Sequence, residues 1–320
     1  MSKPTIWISR KLSDNTQARA ARDYEVILNH DDVISSADDI VAMSATVDAI
    51  VPCHSEIFDA DVVARLADRV KIIANHSVGV DHCDLAAFKA RGIVVTNTPD
   101  VLSDATAEIA MLLMLGAARR APEGDQMVRS GNWKTWSPSF MVGTQVSSKR
   151  VGIVGMGRVG QVMAQRCRGF GMQVHYHNRS RLPADLEHGA IFHPTIETLL
   201  PVSDFVSLHC PATPQTTGLM NAERLGLLPT GAIVINTARG ALIVEKDLVA
   251  AIRSGHIAAA GLDCFVTEPG GNPAFADYPN IFMLPHIGSA TRETRDAMGF
   301  RALDNLDAYF SGAEPRDRLV

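Results

Sequence analysis

Short apolar runs alternate with amphipathic stretches along most of the chain. Thr5 to Ile8, Tyr24 to Leu28, Ala49 to Val51, Ile72 to Ala74 and Ile93 to Thr96 read as strands. Helical stretches lie among them, such as Asp59 to Ala67 with Val62, Val63 and Leu66 on one face, and Leu85 to Ala90. The alternation resumes with strands at Val151 to Val154, Gln173 to Tyr176, Phe205 to Leu208, Ala232 to Ile235, Ala258 to Leu262 and Ile281 to Leu284, and a helix at Glu245 to Ser254. Strands separated by helices imply parallel sheets covered by helices. The expected fold class is therefore α/β.

A chain of 320 residues should form two domains, because single cores stop growing well below that length. Thr98-Pro99-Asp100 breaks the first pattern, and Ser103 to Glu108 looks like the capped start of a long apolar helix ending near Arg119. The last helical stretch, Ser289 to Phe310, follows the final strand and is expected to return to the first domain. Residues 1–98 with 289–320 would then form one domain and residues 99–288 the other, with the site in the cleft between them. Ala121 to Ser148 has Pro122, Gly131, Trp133, Trp136 and Pro138 and little periodicity. It is expected to be an extended arm contacting a second subunit, unless its tryptophans cover their own domain. The tail Ala313 to Val320 is expected to be loosely held.

One stretch organises the second domain. The strand ending at Val154 runs into Gly155-Met156-Gly157-Arg158-Val159-Gly160, a helical pattern follows, and the next strand begins at Gln173. This is the strand, turn, helix and strand order of a dinucleotide-binding unit. Gly155 makes the turn, Gly157 lets backbone approach a pyrophosphate, and Gly160 lets helix and strand pack closely. The helix N-terminus faces the phosphates with N–H groups and a partial positive charge.

His209, Arg239, Asp263 and His286 all fall just past the carboxyl ends of expected strands, the edge at which the glycine turn also lies. Moving a hydride between a nicotinamide and a carbon bearing oxygen requires a proton donor or acceptor and a cation beside the carbonyl. His286 can exchange the proton, since an unperturbed imidazole titrates near ~6.5. Arg239 has the fork that matches a carboxylate. Glu268 can accept the other imidazole N–H and favour the imidazolium. In the first domain, Asn75-His76-Ser77-Val78-Gly79-Val80-Asp81 follows a strand directly. That turn either offers backbone N–H groups to an anion or is an ordinary strand-to-helix connection.

Composition narrows the class. The chain is 46% hydrophobic and 20% charged with net charge −5, which does not suit nucleic-acid binding. The stretch Ala105 to Ala118 is too short to cross a bilayer and contains Glu108. The N-terminus has no secretory pattern. The five cysteines (Cys53, Cys83, Cys167, Cys210, Cys264) are scattered without metal-ligand spacing. They point to reduced thiols in a cytoplasmic protein with neither disulfides nor a metal site.

Several stretches together resemble the D-isomer-specific 2-hydroxyacid dehydrogenases. They are Asn236-Thr237-Ala238-Arg239-Gly240, Gly261-Leu262-Asp263-Cys264-Phe265 through Glu268-Pro269, and Leu284-Pro285-His286-Ile287-Gly288-Ser289-Ala290-Thr291. The glycine turn, Ser77 to Asp81 and Thr106-Ala107-Glu108 match the same family in the same order. The resemblance implies two doubly wound parallel-sheet domains, a Rossmann cofactor domain inserted in a flavodoxin-like substrate domain. It implies catalysis by Arg239, Glu268 and His286, and a substrate carboxylate held by the backbone of Val78 and Gly79, with Arg239 and His286 also touching substrate. It implies cofactor contacts from Thr106, Gly155, Gly157, Arg158, Val159 and Gly160. Further contacts are implied at His209, Pro211, Thr216, Thr237, Ala238, Arg239, Asp263, His286 and Gly288, with Asp263 on the nicotinamide carboxamide. It also implies a homodimer in which Trp133 or Trp136 reaches the neighbour's pocket.

The residue that selects the cofactor sits about 20 residues past the glycines, where an NAD enzyme places Asp or Glu. Here the chain reads His177-Asn178-Arg179-Ser180-Arg181, with no acid. Arg179 and Ser180, with Asn178, suit a 2′-phosphate, so the expected cofactor is NADPH, with NADH weaker. This turn resembles that of glyoxylate and hydroxypyruvate reductases, and the expected reaction is reduction of small 2-keto acids. Two alternatives are an NAD-dependent dehydrogenase of other specificity and a dinucleotide-sensing binding protein resembling the C-terminal-binding-protein corepressors. The complete catalytic trio, the lack of long extensions and the lack of a regulatory domain after residue 320 favour a reductase over a corepressor or a phosphoglycerate dehydrogenase.

Overall fold

The structure, a computed structural model, describes residues 3–320. The chain divides into two compact units, Met1–Leu102 with Ser289–Val320, and Ser103–Gly288.

The first unit begins with β1 (Thr5–Ile8), α1 (Asp14–Asp23), β2 (Glu25–Leu28), α2 (Ala37–Ser44), β3 (Ala49–Val51), α3 (Ala60–Arg65), β4 (Ile72–Ala74), α4 (Leu85–Arg91) and β5 (Val94–Thr96). The strands form one parallel sheet in the order β2-β1-β3-β4-β5. Its central strands are apolar throughout because helices cover both faces. Ile50 and Ile73 pack with Phe58 and Phe88, while Ile6, Ile8 and Ile72 face the other way. Side chains of Ser13, Ser36, Asp59 and Asp84 accept backbone N–H groups at the helix starts, which sets where each helix begins.

The second unit opens with α5 (Ser103–Ala118) and α6 (Ala121–Arg129). Then come β6 (Arg150–Val154), α7 (Arg158–Gly169), β7 (Gln173–His177), α8 (Ala184–Glu187), β8 (Ile191–His193), α9 (Ile196–Leu199), β9 (Phe205–Leu208), α10 (Ala222–Gly226), β10 (Ala232–Asn236), α11 (Glu245–Arg253), β11 (Ile257–Leu262) and β12 (Ile281–Met283). The sheet is again parallel, in the order β12-β11-β10-β9-β6-β7-β8. Strand order reverses between β6 and β9, so their carboxyl ends frame the crevice in which such sheets bind ligands. Residues 121–148 are not extended throughout, as the lack of periodicity suggested. Pro122 sits at the start of α6, Arg120 closes on Glu123 in a forked ion pair, and none of the helix's residues is buried. Trp133 and Trp136 beyond it are exposed.

The chain rejoins the first unit as α12 (Arg292–Phe310), whose Ala302, Leu303 and Leu306 complete the core beside Ile6, Ile8 and Ile72. The tail is held, contrary to expectation. Leu319 N–H donates to Val95 O at 2.8 Å, and the buried Asp317 carboxylate receives the Arg301 guanidinium at 2.5 and 2.9 Å and Asn305 Nδ2 at 3.0 Å. A desolvated carboxylate with that many donors anchors its segment. Among the described residues no helix is long and apolar enough to cross a membrane.

Candidate active site

The glycine turn after β6 is shaped by close approach. Gly155 has φ +95°, and a Cβ there would lie 2.6 Å from Cys210 N, at the end of β9. A Cβ on Gly160 would lie 2.2 Å from Gly155 O, so the first turn of α7 packs directly on the loop. At Gly157 a Cβ would meet nothing within 4 Å, which is the room a pyrophosphate requires. No side chain caps α7, so its first N–H groups stay available to an anion. Arg158 is exposed, Val159 half-buried and Thr106 buried.

At the end of β7 the three polar residues do different work. Asn178 Oδ1 accepts Met156 N–H at 2.6 Å and so fixes the glycine turn itself. Arg179 and Ser180 are exposed. Arg181 pairs with Glu187 at 2.8 and 3.0 Å, and Glu187 also accepts Tyr176 O–H at 2.6 Å. Those two donors, Arg181 first, hold the Glu187 carboxyl down at about 2. Past β9, burial pushes His209 down to about 4, and its Nε2 lies 2.8 Å from Ser207 Oγ. Thr216 Oγ1 donates to Pro211 O at 2.7 Å and closes the next loop.

The remaining strand ends converge within this unit. Asn236, fully buried, accepts Ala238 N–H at 3.0 Å and donates to Arg239 O at 2.8 Å, which fixes the turn bearing Arg239. A Cβ on Gly240 would lie 1.9 Å from the Phe265 carbonyl carbon, so that turn is pressed against the loop leading to Glu268. Glu268 uses one oxygen for Phe265 N–H at 2.7 Å and the other for His286 Nδ1 at 2.6 Å. An ionised carboxylate only accepts, so Nδ1 carries hydrogen and Nε2 is the nitrogen that can exchange a proton. Asp263 is fully buried, and burial raises its pKa although its two oxygens accept Ile287 N–H at 2.8 Å and Gly288 N–H at 2.7 Å. Those bonds set the backbone directly after His286, whose φ is +54°. Thr237 Oγ1 is buried with no hydrogen-bond partner among the described residues.

In the first unit, the turn after β4 is bonded on one side only. The carbonyls of Ser77, Val78 and Gly79 accept from Thr98 N (3.1 Å), Asn97 Nδ2 (2.9 Å) and Asn75 Nδ2 (3.2 Å). The N–H groups of Val78 and Gly79 have no acceptor among the described residues. Two adjacent N–H groups in that state can receive an anion.

Residues 111–288 match the D-isomer specific 2-hydroxyacid dehydrogenase, NAD binding domain. The chain belongs to that family. It is 43% identical over 316 residues to the glycerate dehydrogenase of Hyphomicrobium methylovorum, covering 98% of both proteins. It is 40% identical over 317 residues to the glyoxylate reductase of Thermococcus litoralis, covering 98% of this chain and 96% of that one. Among solved structures it resembles the NADPH-dependent glyoxylate/hydroxypyruvate reductase of Sinorhizobium meliloti in complex with NADP and malonate, at TM-score 0.88 and 32% identity, covering 100% and 97% of the two chains.

Sequence reasoning overlooked one clamp in this 2-hydroxyacid dehydrogenase. Glu245, the first residue of α11, accepts Val266 N–H at 3.0 Å and Asn272 Nδ2 at 2.8 Å, and so ties down both sides of the loop that carries Glu268. An acid in the first turn of a helix is common enough to pass as a cap. Only the fold shows which backbone it reaches.

Proposed function

We propose that this dehydrogenase reduces small 2-keto acids, glyoxylate and hydroxypyruvate, to the 2-hydroxy acids with NADPH. The reading rests chiefly on the Glu268–His286 pair at 2.6 Å, in the same unit as the Arg239 turn. Bound nicotinamide supplies the hydride. The chain does the rest: His286 Nε2 delivers the proton to the carbonyl oxygen, Glu268 keeps the imidazole oriented, and Arg239 stabilises the negative charge that develops on that oxygen. Val78 and Gly79 N–H groups take the carboxylate. Gly157 and the start of α7, with Arg158 and Val159, take the pyrophosphate.

The cofactor choice is supported by the absence of an acid after β7 and by the exposure of Arg179 and Ser180. The solved relative's NADP complex supports it too. We assign residues 1–98 with 289–320 to substrate and 99–288 to the cofactor. The arm 121–148, with Trp133 and Trp136 exposed, is assigned to a homodimer contact in the cytoplasm. Initial rates over a panel of 2-keto acids test the proposal: kcat/KM with NADPH should exceed that with NADH by about tenfold or more. Arg179→Ala should raise KM for NADPH and leave NADH nearly unaffected. A tenfold preference for NADH would overturn the cofactor assignment, and no turnover of either acid would overturn the substrate.

A further inference from the structure

One cation of the first unit has no task in that reading. Arg295 projects from the first turn of α12, is only half-exposed, and has no hydrogen-bonded or ion-paired acceptor among the described residues. The other partly buried arginines of this unit each hold a carboxylate: Arg10 with Asp32, Arg19 with Asp304 and Asp307, Arg91 with Asp68, and Arg301 with Asp317. An arginine drawn out of water without a partner is costly, and burial lowers its pKa.

Its neighbours cannot neutralise it. Asp296, beside it in the first turn, accepts Asn15 Nδ2 at 2.7 Å at the start of α1, which places that turn at the carboxyl edge of the sheet, where Cys53 and His76 follow β3 and β4 with Sγ and Nδ1 3.9 Å apart. Burial pushes the Cys53 thiol up to about 12 and His76 down to about 4, so both are uncharged at neutral pH. His76 Nε2 is itself buried without a hydrogen-bond partner. Glu56, the buried acid of this edge, already accepts Ser9 Oγ at 2.8 Å, Cys53 N–H at 2.9 Å and Ser55 Oγ at 3.0 Å. His76 leads directly into Ser77-Val78-Gly79, where two N–H groups also lack acceptors. Unsatisfied positive charge and unsatisfied N–H donors thus gather at one end of one sheet.

We propose that Arg295 determines substrate specificity: its fork joins the N–H groups of Val78 and Gly79 in seating the carboxylate, so the enzyme takes small anionic 2-oxo acids and rejects neutral carbonyl compounds. The assignment rests on the 2-keto acid reading above. It places Arg295 in binding, apart from proton delivery by His286 and charge stabilisation by Arg239.

The test uses the full-length enzyme with NADPH present, comparing wild type, Arg295→Gln and Arg295→Lys. Losing a charge-assisted contact should raise KM for glyoxylate and the calorimetric Kd for oxalate by about tenfold to a hundredfold in Arg295→Gln. kcat and KM for NADPH should stay within about twofold, while the ratio of glyoxylate to methylglyoxal turnover falls. Arg295→Lys should keep the charge but lose the fork, raising the same KM by roughly threefold to tenfold. Glyoxylate KM and oxalate Kd within twofold of wild type in Arg295→Gln would overturn the assignment, as would a loss confined to kcat or to NADPH. If Arg295→Gln does not fold, wild-type values in Arg295→Lys overturn it instead. Should wild type reduce neither keto acid, the substrate reading falls, and oxalate binding still decides whether Arg295 seats a carboxylate.

Discussion

The turn after β6 and the turn after β4 both leave backbone N–H groups open past the end of a parallel strand, but by different means. After β6 the device is shape: a Cβ on Gly155 or Gly160 would strike Cys210 N or Gly155 O, while one on Gly157 would meet nothing within 4 Å. After β4 the device is hydrogen bonding: Asn75, Asn97 and Thr98 occupy the carbonyls of the turn and leave the N–H groups of Val78 and Gly79 without acceptors. Shape leaves a mark in the sequence, because only glycine satisfies it. The second device depends on donors from neighbouring strand ends and leaves almost none.

The sharpest way to break this comparison is to show that chemistry is not confined to the unit with the glycine turn. His286→Ala should lower kcat by roughly 10²- to 10⁴-fold with little change in NADPH affinity, since in the proposed reaction it removes the proton donor and no phosphate contact. Near-normal turnover would take His286 out of that role. Glu245→Ala acts on the same machinery more gently. By freeing the loop that carries Glu268 it should lower kcat by about tenfold, and little further in a His286→Ala background, because the two act through one imidazole. Additive losses in the double variant would mean that Glu245 serves stability alone.

A smaller effect separates shape from space within the glycine turn. Gly155→Ala forces a side chain into φ +95° and against Cys210 N. It should lower Tm by roughly 2–10 °C, a strain of about 1–3 kcal/mol. Gly157→Ala meets nothing in the protein. Its Tm should stay within about 1 °C of wild type, while NADPH binding weakens about tenfold or more. Equal thermal losses in the two variants would show that Gly157 too is held by the fold, and calorimetry with thermal melts measures both.

The same contrast explains what was legible beforehand. Strands β3, β4 and β9 were readable residue for residue because central parallel strands are continuous apolar runs between turns. The placement of His209, Arg239, Asp263 and His286 followed from the ends of β9, β10, β11 and β12, which were read to within one residue. Edge strand β8, Ile191–His193, was missed because it is short and its neighbours are polar. Helix α6 was missed because Pro122 and Gly124 disguise a surface helix that buries nothing. The order of the tail comes from Arg301, Asn305 and Val95, and the clamps by Asn178 and Glu245 come from residues brought near by folding. Pairings of this kind are set by topology, which local pattern does not encode.

The smallest expected effect compares the histidines that follow the strands of each sheet. His76 after β4 and His209 after β9 are both pushed down to about 4 by burial, against about 6.5 in an unfolded chain. Between those values the unfolded state binds protons that the folded state refuses. Folding stability is therefore complete above about pH 6.5 and declines as pH falls toward 4, by at most about 1.4 kcal/mol per pH unit for each histidine. His76 is buried, whereas His209 is half-buried beside Ser207. The steeper share should belong to His76, since solvent near His209 lets its charged form in at lower cost. Denaturant unfolding at pH 7, 6 and 5 reads this directly, with His76→Gln flattening the curve more than His209→Gln. If His209→Gln flattens it more, the turn of the first unit is the wetter of the two.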